Sequence, residues 1–119
     1  MRIRIGFKAW LVINDKHLIG KGGADILRAI KETGSISAAA KKLGLSYQFA
    51  WKYIKEVEET LKKPIVETWK GGTKGGGAKL TEYGDKLLEV YDYINKTLEE
   101  VIKKLERELH ENYVILFEC

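Results

Sequence analysis

Cysteine is nearly absent from this chain. The only one is Cys119, so no intramolecular disulfide framework can form. The two histidines, His17 and His110, lie far apart in the sequence and sit in no motif. Without Cys/His spacing there is no zinc-site pattern, and no metal or cofactor is expected. No catalytic set assembles either: the carboxylates concentrate on an amphipathic segment, where surface salt bridging is the ordinary role. The chain is therefore expected not to be an enzyme. No apolar run approaches the roughly 20 residues of a membrane span. The N-terminus lacks the apolar core and small-residue cleavage site of a signal peptide, so a cytoplasmic location and no membrane contact are expected. Internal repeats are absent, and low complexity is confined to one glycine-rich stretch.

What remains is an ordinary globular composition with an uneven charge. At 119 residues and 45% hydrophobic content, the chain can bury a core as one domain with an appended helix. Residues 1–81 carry 16 Lys/Arg against 7 Asp/Glu, whereas residues 82–119 carry 5 against 10. A basic body joined to an acidic tail suits a nucleic-acid binder with a separate assembly segment. A solvated surface whose charges happen to segregate is the plainer alternative.

Residues 2–13 alternate and are rich in β-branched and aromatic types, which predicts a strand. Asn14-Asp15-Lys16 predicts a turn and His17-Leu18-Ile19 a short return strand. Helix one is expected over about Ala24 to Thr33, closed by Gly34, and helix two over about Ser37 to Leu43 with Ser37 as N-cap. Ser46 is expected to cap helix three, about Tyr47 to Leu61, with Ala50, Ile54, Val57 and Leu61 on its inner face. Ile65 to Trp69 and Ala78 to Leu80 predict two strands around Gly71-Gly72-Thr73-Lys74-Gly75-Gly76-Gly77. Thr81 begins a long last helix, about Glu82 to His110. Its apolar residues Leu87, Tyr91, Ile94, Leu98, Val101 and Leu105 are spaced 4, 3, 4, 3, 4. That heptad stripe fits either intramolecular core or a dimer seam, and its acidic flanks favour the dimer. Tyr113 to Phe117 predicts a C-terminal strand that pairs with the N-terminal strand of its own or a partner chain. The expected class is α+β, mainly α: a winged helix-turn-helix over 1–81 and a dimerisation helix with a short strand over 82–119.

Helix two, the turn Leu43-Gly44-Leu45-Ser46 and helix three form the helix-turn-helix. An exposed helix three can enter the major groove of DNA, about 12 Å wide. Gln48 can bond an adenine edge, and Lys52 and Lys55 can reach guanine acceptors or phosphates. Tyr47 can donate to a phosphate or pack on a thymine methyl. For Trp51, at the edge of the inner face, packing and DNA contact both stand open. Ser35, Ser37 and Ser46 lie at helix starts, where backbone N–H groups attract phosphate. Lys70, Thr73 and Lys74 put hydroxyl and charge on a glycine-rich tip where the backbone can approach a polyanion. A nucleotide-phosphate loop needs G-x-x-x-x-G-K-[ST] and then a helix; here Gly77 precedes Ala78-Lys79-Leu80 between two strands. The competing functions are a protein-interaction module and a sequence-independent architectural DNA binder.

The run Thr33-Gly34-Ser35-Ile36-Ser37-Ala38-Ala39-Ala40, continued by Gly44-Leu45-Ser46-Tyr47 and Ala50-Trp51, resembles the DNA-binding domain of molybdate-responsive regulators of the ModE type. So does the glycine-rich wing followed by Leu80-Thr81-Glu82-Tyr83-Gly84. LysR-type regulators share the helix-turn-helix pattern more distantly. The resemblance covers about residues 5 to 105. It implies a winged helix with a long dimerisation helix, binding a two-fold operator in double-stranded DNA as a homodimer. The family's recognition helix falls on Ser46 to Leu61 and its wing on Lys70 to Lys79. No residues here stand in for the family's C-terminal molybdate-binding domains, so a stand-alone regulator without molybdate binding is expected.

Overall fold

The computed structural model describes residues 2–70 and 76–118. The elements are β1 (Leu11–Ile13), β2 (Lys16–Ile19), α1 (Lys21–Thr33), α2 (Ile36–Leu43), α3 (Tyr47–Leu61), β3 (Val66–Trp69), β4 (Gly77–Leu80) and α4 (Glu82–Asn112). A 3-10 turn at Val114–Phe117 follows. β1 pairs with β2 and β3 with β4, each as a separate antiparallel hairpin. Asn14 and Asp15 both take positive φ, which matches the twist of a two-residue hairpin. No described helix is long and apolar enough to cross a membrane.

Local chemistry sets the helix-turn-helix. Gly34 ends α1 with φ 78°, and Ser35 Oγ then accepts from the Ala38 amide at 2.8 Å, capping α2. Ser37, the expected cap, lies inside the helix instead, because the chain leaves Gly34 already extended at Ser35. Gly44, with φ 70°, closes α2, and the Leu45 amide returns to the Ala40 carbonyl at 2.9 Å. Ser46 Oγ caps α3 through the Phe49 amide at 3.1 Å, as expected. α1 begins at Lys21 rather than near Ala24 and includes Gly22 and Gly23. A Cβ at Gly23 would lie 2.6 Å from the Tyr53 ring, so glycine lets α3 pack close to the start of α1.

The wing is tied to the helices at its root. Glu58 Oε2 accepts from the Ile65 and Val66 amides at 2.8 and 3.3 Å, holding the chain as it leaves α3. The Ala78 amide donates to the Gly34 carbonyl at 2.8 Å, fixing β4 to the α1–α2 turn. Thr81 Oγ1 donates to the Pro64 carbonyl at 2.7 Å and accepts from the Gly84 amide at 3.1 Å, capping α4. A Cβ at Gly84 would lie 2.1 Å from the Ile65 carbonyl oxygen, so α4 can start there only without a side chain.

Ile19, Ile26, Leu27, Ile30 and Ile65 are the largest fully buried side chains, and no polar or charged residue is buried among the described residues. Ala39, Ala40 and Ala50 bring the three helices together, and Leu87, Leu88 and Tyr91 join the same cluster, so the core runs across the junction at 81/82. Beyond Tyr91 no residue of α4 is buried. A 31-residue helix is about 46 Å long and makes up most of the longest extent, 64 Å.

Both chain ends differ from expectation. Only Leu11–Ile13 of the N-terminal run is strand. Residues 2–10 form an arm running antiparallel along α4. The Ile3 amide donates to His110 Nε2 at 3.1 Å, the Ile5 amide to Glu106 Oε2 at 2.7 Å, and Tyr91 Oη to the Ala9 carbonyl at 3.0 Å. Ile3 and Ile5 are half-buried while Arg2 and Arg4 are exposed, so the alternation serves packing on a helix instead of a sheet face. Tyr113 to Phe117 is not a strand. With no ladder partner the backbone closes locally, the Leu116 amide donating to the Tyr113 carbonyl at 3.0 Å.

Candidate nucleic-acid interface

α3 divides into two sides. Ala50, Ile54 and Val57 are buried and Leu61 is half-buried, which fixes the helix on α1, α2 and β2. The opposite side leaves Tyr47, Gln48, Phe49, Trp51, Lys52 and Lys55 exposed, and the first turn stands clear of the fold. An open cleft of about 440 Å³ separates α3 from the wing. Ser35 and Ser37 line one wall, Tyr47 and Trp51 a second, and Trp69 and Lys70 the third. A Cβ at Gly77 would lie 2.6 Å from the Trp69 ring, so bare backbone there lets the indole lie across the wing.

The cleft thus gathers Ser35, Ser37, Tyr47, Trp51 and Lys70 from the predicted set. Gln48 and Lys52 lie on the open face of α3 outside it, as does Ser46; Ser46 Oγ at α3 and Ser35 Oγ at α2 each accept a capping amide and keep the O–H to donate. Thr73 and Lys74 lie outside the described residues. Trp51 is 45% exposed and stands outside the buried core cluster. Lys55 Nζ sits 5.4 Å from the Trp51 ring centre and 3.2 Å from Glu58 Oε1, which draws its charge towards the protein. Lys52 meets Glu56 only at 4.0 Å with both side chains in solvent, a geometry that leaves its ammonium available. Sequence reasoning did not single out Trp69, which lines the cleft, or Phe49, which is exposed on α3. Trp69 had a signal: it is the bulky residue at the strand end next to the glycine run. Phe49 had one too, at an outward position between Gln48 and Lys52.

The Phe49 ring centre lies 6.4 Å from that of Tyr53, the two rings tilted by 40°. Burial pushes the Tyr53 phenol above its ordinary range, keeping it neutral. Among the described residues no group of His, Cys, Asp and Glu is placed to hold a metal ion.

The proposed dimer seam splits. Leu87 and Tyr91 are only 7% and 4% exposed and belong to the chain's own core, so they are withdrawn from any intermolecular surface. Ile94 is half-buried. Leu98, Val101 and Leu105 are 38%, 49% and 44% exposed, and Tyr113, Val114, Ile115 and Leu116 extend the apolar surface past the helix end.

Residues 24–85, from α1 to the first turn of α4, match the family described as bacterial regulatory helix-turn-helix protein, lysR family. The chain is 41% identical over 85 residues to the molybdenum-pterin-binding protein MopB of Rhodobacter capsulatus, covering 71% of this chain and 32% of that one. It is 36% identical over 83 residues to the transcriptional regulator ModE of Haemophilus influenzae, covering 70% and 32%. The ModE-type resemblance of the helix-turn-helix and wing is thus found in these relatives. The chain spans about a third of their length. The crystal structure of a CbnR DBD–DNA complex has the same fold, with a TM-score of 0.57 at 22% identity over 72% of this chain and 93% of that one. A winged helix-turn-helix with this span of matched residues places the chain in the lysR family of bacterial regulatory helix-turn-helix proteins.

Proposed function

We propose that this chain is a sequence-specific, DNA-binding transcription regulator that acts as a homodimer. The observation that carries the reading is the open first half of α3, with Gln48 and Lys52 clear of the fold, set beside a cleft that presents hydroxyls and a lysine. α3 enters the major groove. Gln48 bonds an adenine edge, and Lys52 reaches a guanine or a phosphate. Ser35, Ser37, Tyr47 and Lys70 hold the backbone that passes between α3 and the wing. Trp51 and Lys55 support that wall, and the wing, with Thr73 and Lys74, lies on the adjacent backbone or minor groove. The family match and the relative named as a transcriptional regulator support this assignment. A non-enzymatic role in the cytoplasm goes with it. We assign no cofactor and no molybdate site to these residues.

The dimer follows from α4. In proteins a helix is stabilised mostly by packing its apolar face, and among the described residues α4 beyond Tyr91 meets the N-terminal arm and the Arg28–Asp92 ion pair but buries no side chain. A second copy against Leu98, Val101 and Leu105 supplies the missing contact, with Ile94 at the seam's inner end. Light scattering at micromolar concentration is expected to give twice the 13.6 kDa chain mass. A single-chain mass removes the dimer from the account.

The DNA reading is tested by a salt-titrated gel shift with random duplex and with a duplex selected from a random pool. Binding is expected to fall steeply with salt on both and to favour the selected duplex. No binding at low salt points to a protein partner instead, and equal affinity for every duplex points to an architectural role. Lys52→Ala is expected to weaken binding. A loss that depends on duplex sequence makes Lys52 a base contact; an equal loss makes it a phosphate contact.

A further inference from the structure

Phe49 is the one ring on the open side of α3 that carries no polar atom. It lies in the first turn, between Gln48 and the next outward residues, and is 53% exposed. Its position is fixed at both ends. Its amide donates to Ser46 Oγ at 3.1 Å, and its ring makes a tilted contact with Tyr53, centre to centre 6.4 Å. Tyr53 is in turn held between Gly23 and His17, its hydroxyl 3.5 Å from His17 Nε2. Phe49 is therefore an apolar surface presented on a built support, with no contribution to the core.

The other exposed aromatics of this face have different surroundings. Tyr47 and Trp51 line the cleft with Ser35 and Lys70, where a phosphate backbone would run, and each has a polar handle. Phe49 is on the opposite flank of α3, towards the β1–β2 hairpin. A helix that enters the major groove N-terminus first presents the outward residues of its first turn to the base edges. Those edges carry hydrogen-bond donors and acceptors and a single apolar group, the thymine C5 methyl.

We propose that Phe49 is a specificity-determining residue that reads a thymine methyl group, beside the hydrogen-bonding positions Gln48 and Lys52. The inference rests on the DNA-binding reading above and deepens it by naming what one flank of α3 recognises. Thymine is then required at one position of each half-site for its methyl, not for its hydrogen-bonding pattern.

The test uses the full chain and a duplex selected from a random pool, with each thymine replaced in turn by deoxyuracil. That replacement removes the methyl and leaves every donor and acceptor in place. The expected result is one thymine per half-site whose replacement weakens wild-type binding about fourfold, the scale for a buried methyl-sized group. Phe49→Ala is expected to bind the thymine and deoxyuracil duplexes equally, at about the wild-type affinity for the deoxyuracil duplex, while Phe49→Leu keeps part of the discrimination. The deoxyuracil scan on the wild type stands even if a variant folds poorly. Preference for the selected duplex with no deoxyuracil-sensitive position, or full discrimination in Phe49→Ala, overturns the proposal and leaves the DNA-binding reading intact. No preference for any duplex over random DNA overturns both.

Discussion

The two halves of α4 carry the same heptad stripe and meet different fates. In the first half, Leu87 and Tyr91 are buried with Leu88 against the helix-turn-helix, and Gly84 touches the backbone at Ile65. In the second half, Leu98, Val101 and Leu105 stand exposed among charges of both signs, and among the described residues the extended arm bonds to this part of the helix. The periodicity states that a face is to be covered; the length of the body decides which part is covered from within. The first half belongs to the fold of one chain, and the second half is the face that the proposed dimer would cover.

The largest expected effects lie in the first half. Gly84→Ala forces a Cβ against a carbonyl oxygen that the Thr81 amide also uses, and should cost about 3 kcal/mol or more of stability. Leu87→Ala should cost about 2–5 kcal/mol by leaving a cavity. Urea denaturation should give both losses independently of protein concentration; concentration-dependent losses would move this half into the dimer seam. The second half should respond in the opposite way. Val101→Glu with Leu105→Glu should leave the core intact and halve the mass seen by light scattering. Loss of the core near-UV signal in that variant would mean the halves are not separable. At the junction, Tyr91→Phe removes the bond to the Ala9 carbonyl and should cost about 1 kcal/mol.

The smallest effect is one of pH. Burial holds the Tyr91 phenol above its ordinary value of 10.0. The folded state then keeps the proton more tightly than the unfolded one. Stability should be flat with respect to this group below about pH 10 and should fall as pH rises towards the folded value. Urea midpoints across that range check the slope, which should be shallower in Tyr91→Phe; Tyr53 should retain its own share.

Much of the fold was legible because the signals are local. Ser46 before an apolar stripe, Gly34 and Gly44 after one, and Thr81 ahead of an acidic first turn each specify a helix end through a hydrogen bond the backbone needs. The expectations that failed needed tertiary information. Ser35 and Ser37 are both good caps, and the choice depends on the direction in which Gly34 releases the chain. Alternation in residues 2–10 fits a sheet face and an arm on a helix equally well. The apolar run at Tyr113 to Phe117 suits a strand, but a strand requires a partner. The exposure of the candidate site was legible where its residues are polar, as at Gln48, Lys52 and Lys70. At Phe49 and Trp69 the sequence signal was present but easily passed over, because apolar residues are assigned inward by default and the packing of α3 and the wing leaves these two outside.

The central claim is that the open face of α3 reads base sequence, and Gln48→Ala tests it most directly. Affinity should be measured at one fixed salt concentration, for the selected duplex and for random duplex. The account predicts a loss of about tenfold or more on the selected duplex and little change on random DNA, the scale of one bidentate base contact. An equal loss on both duplexes, or no loss on either, would contradict it.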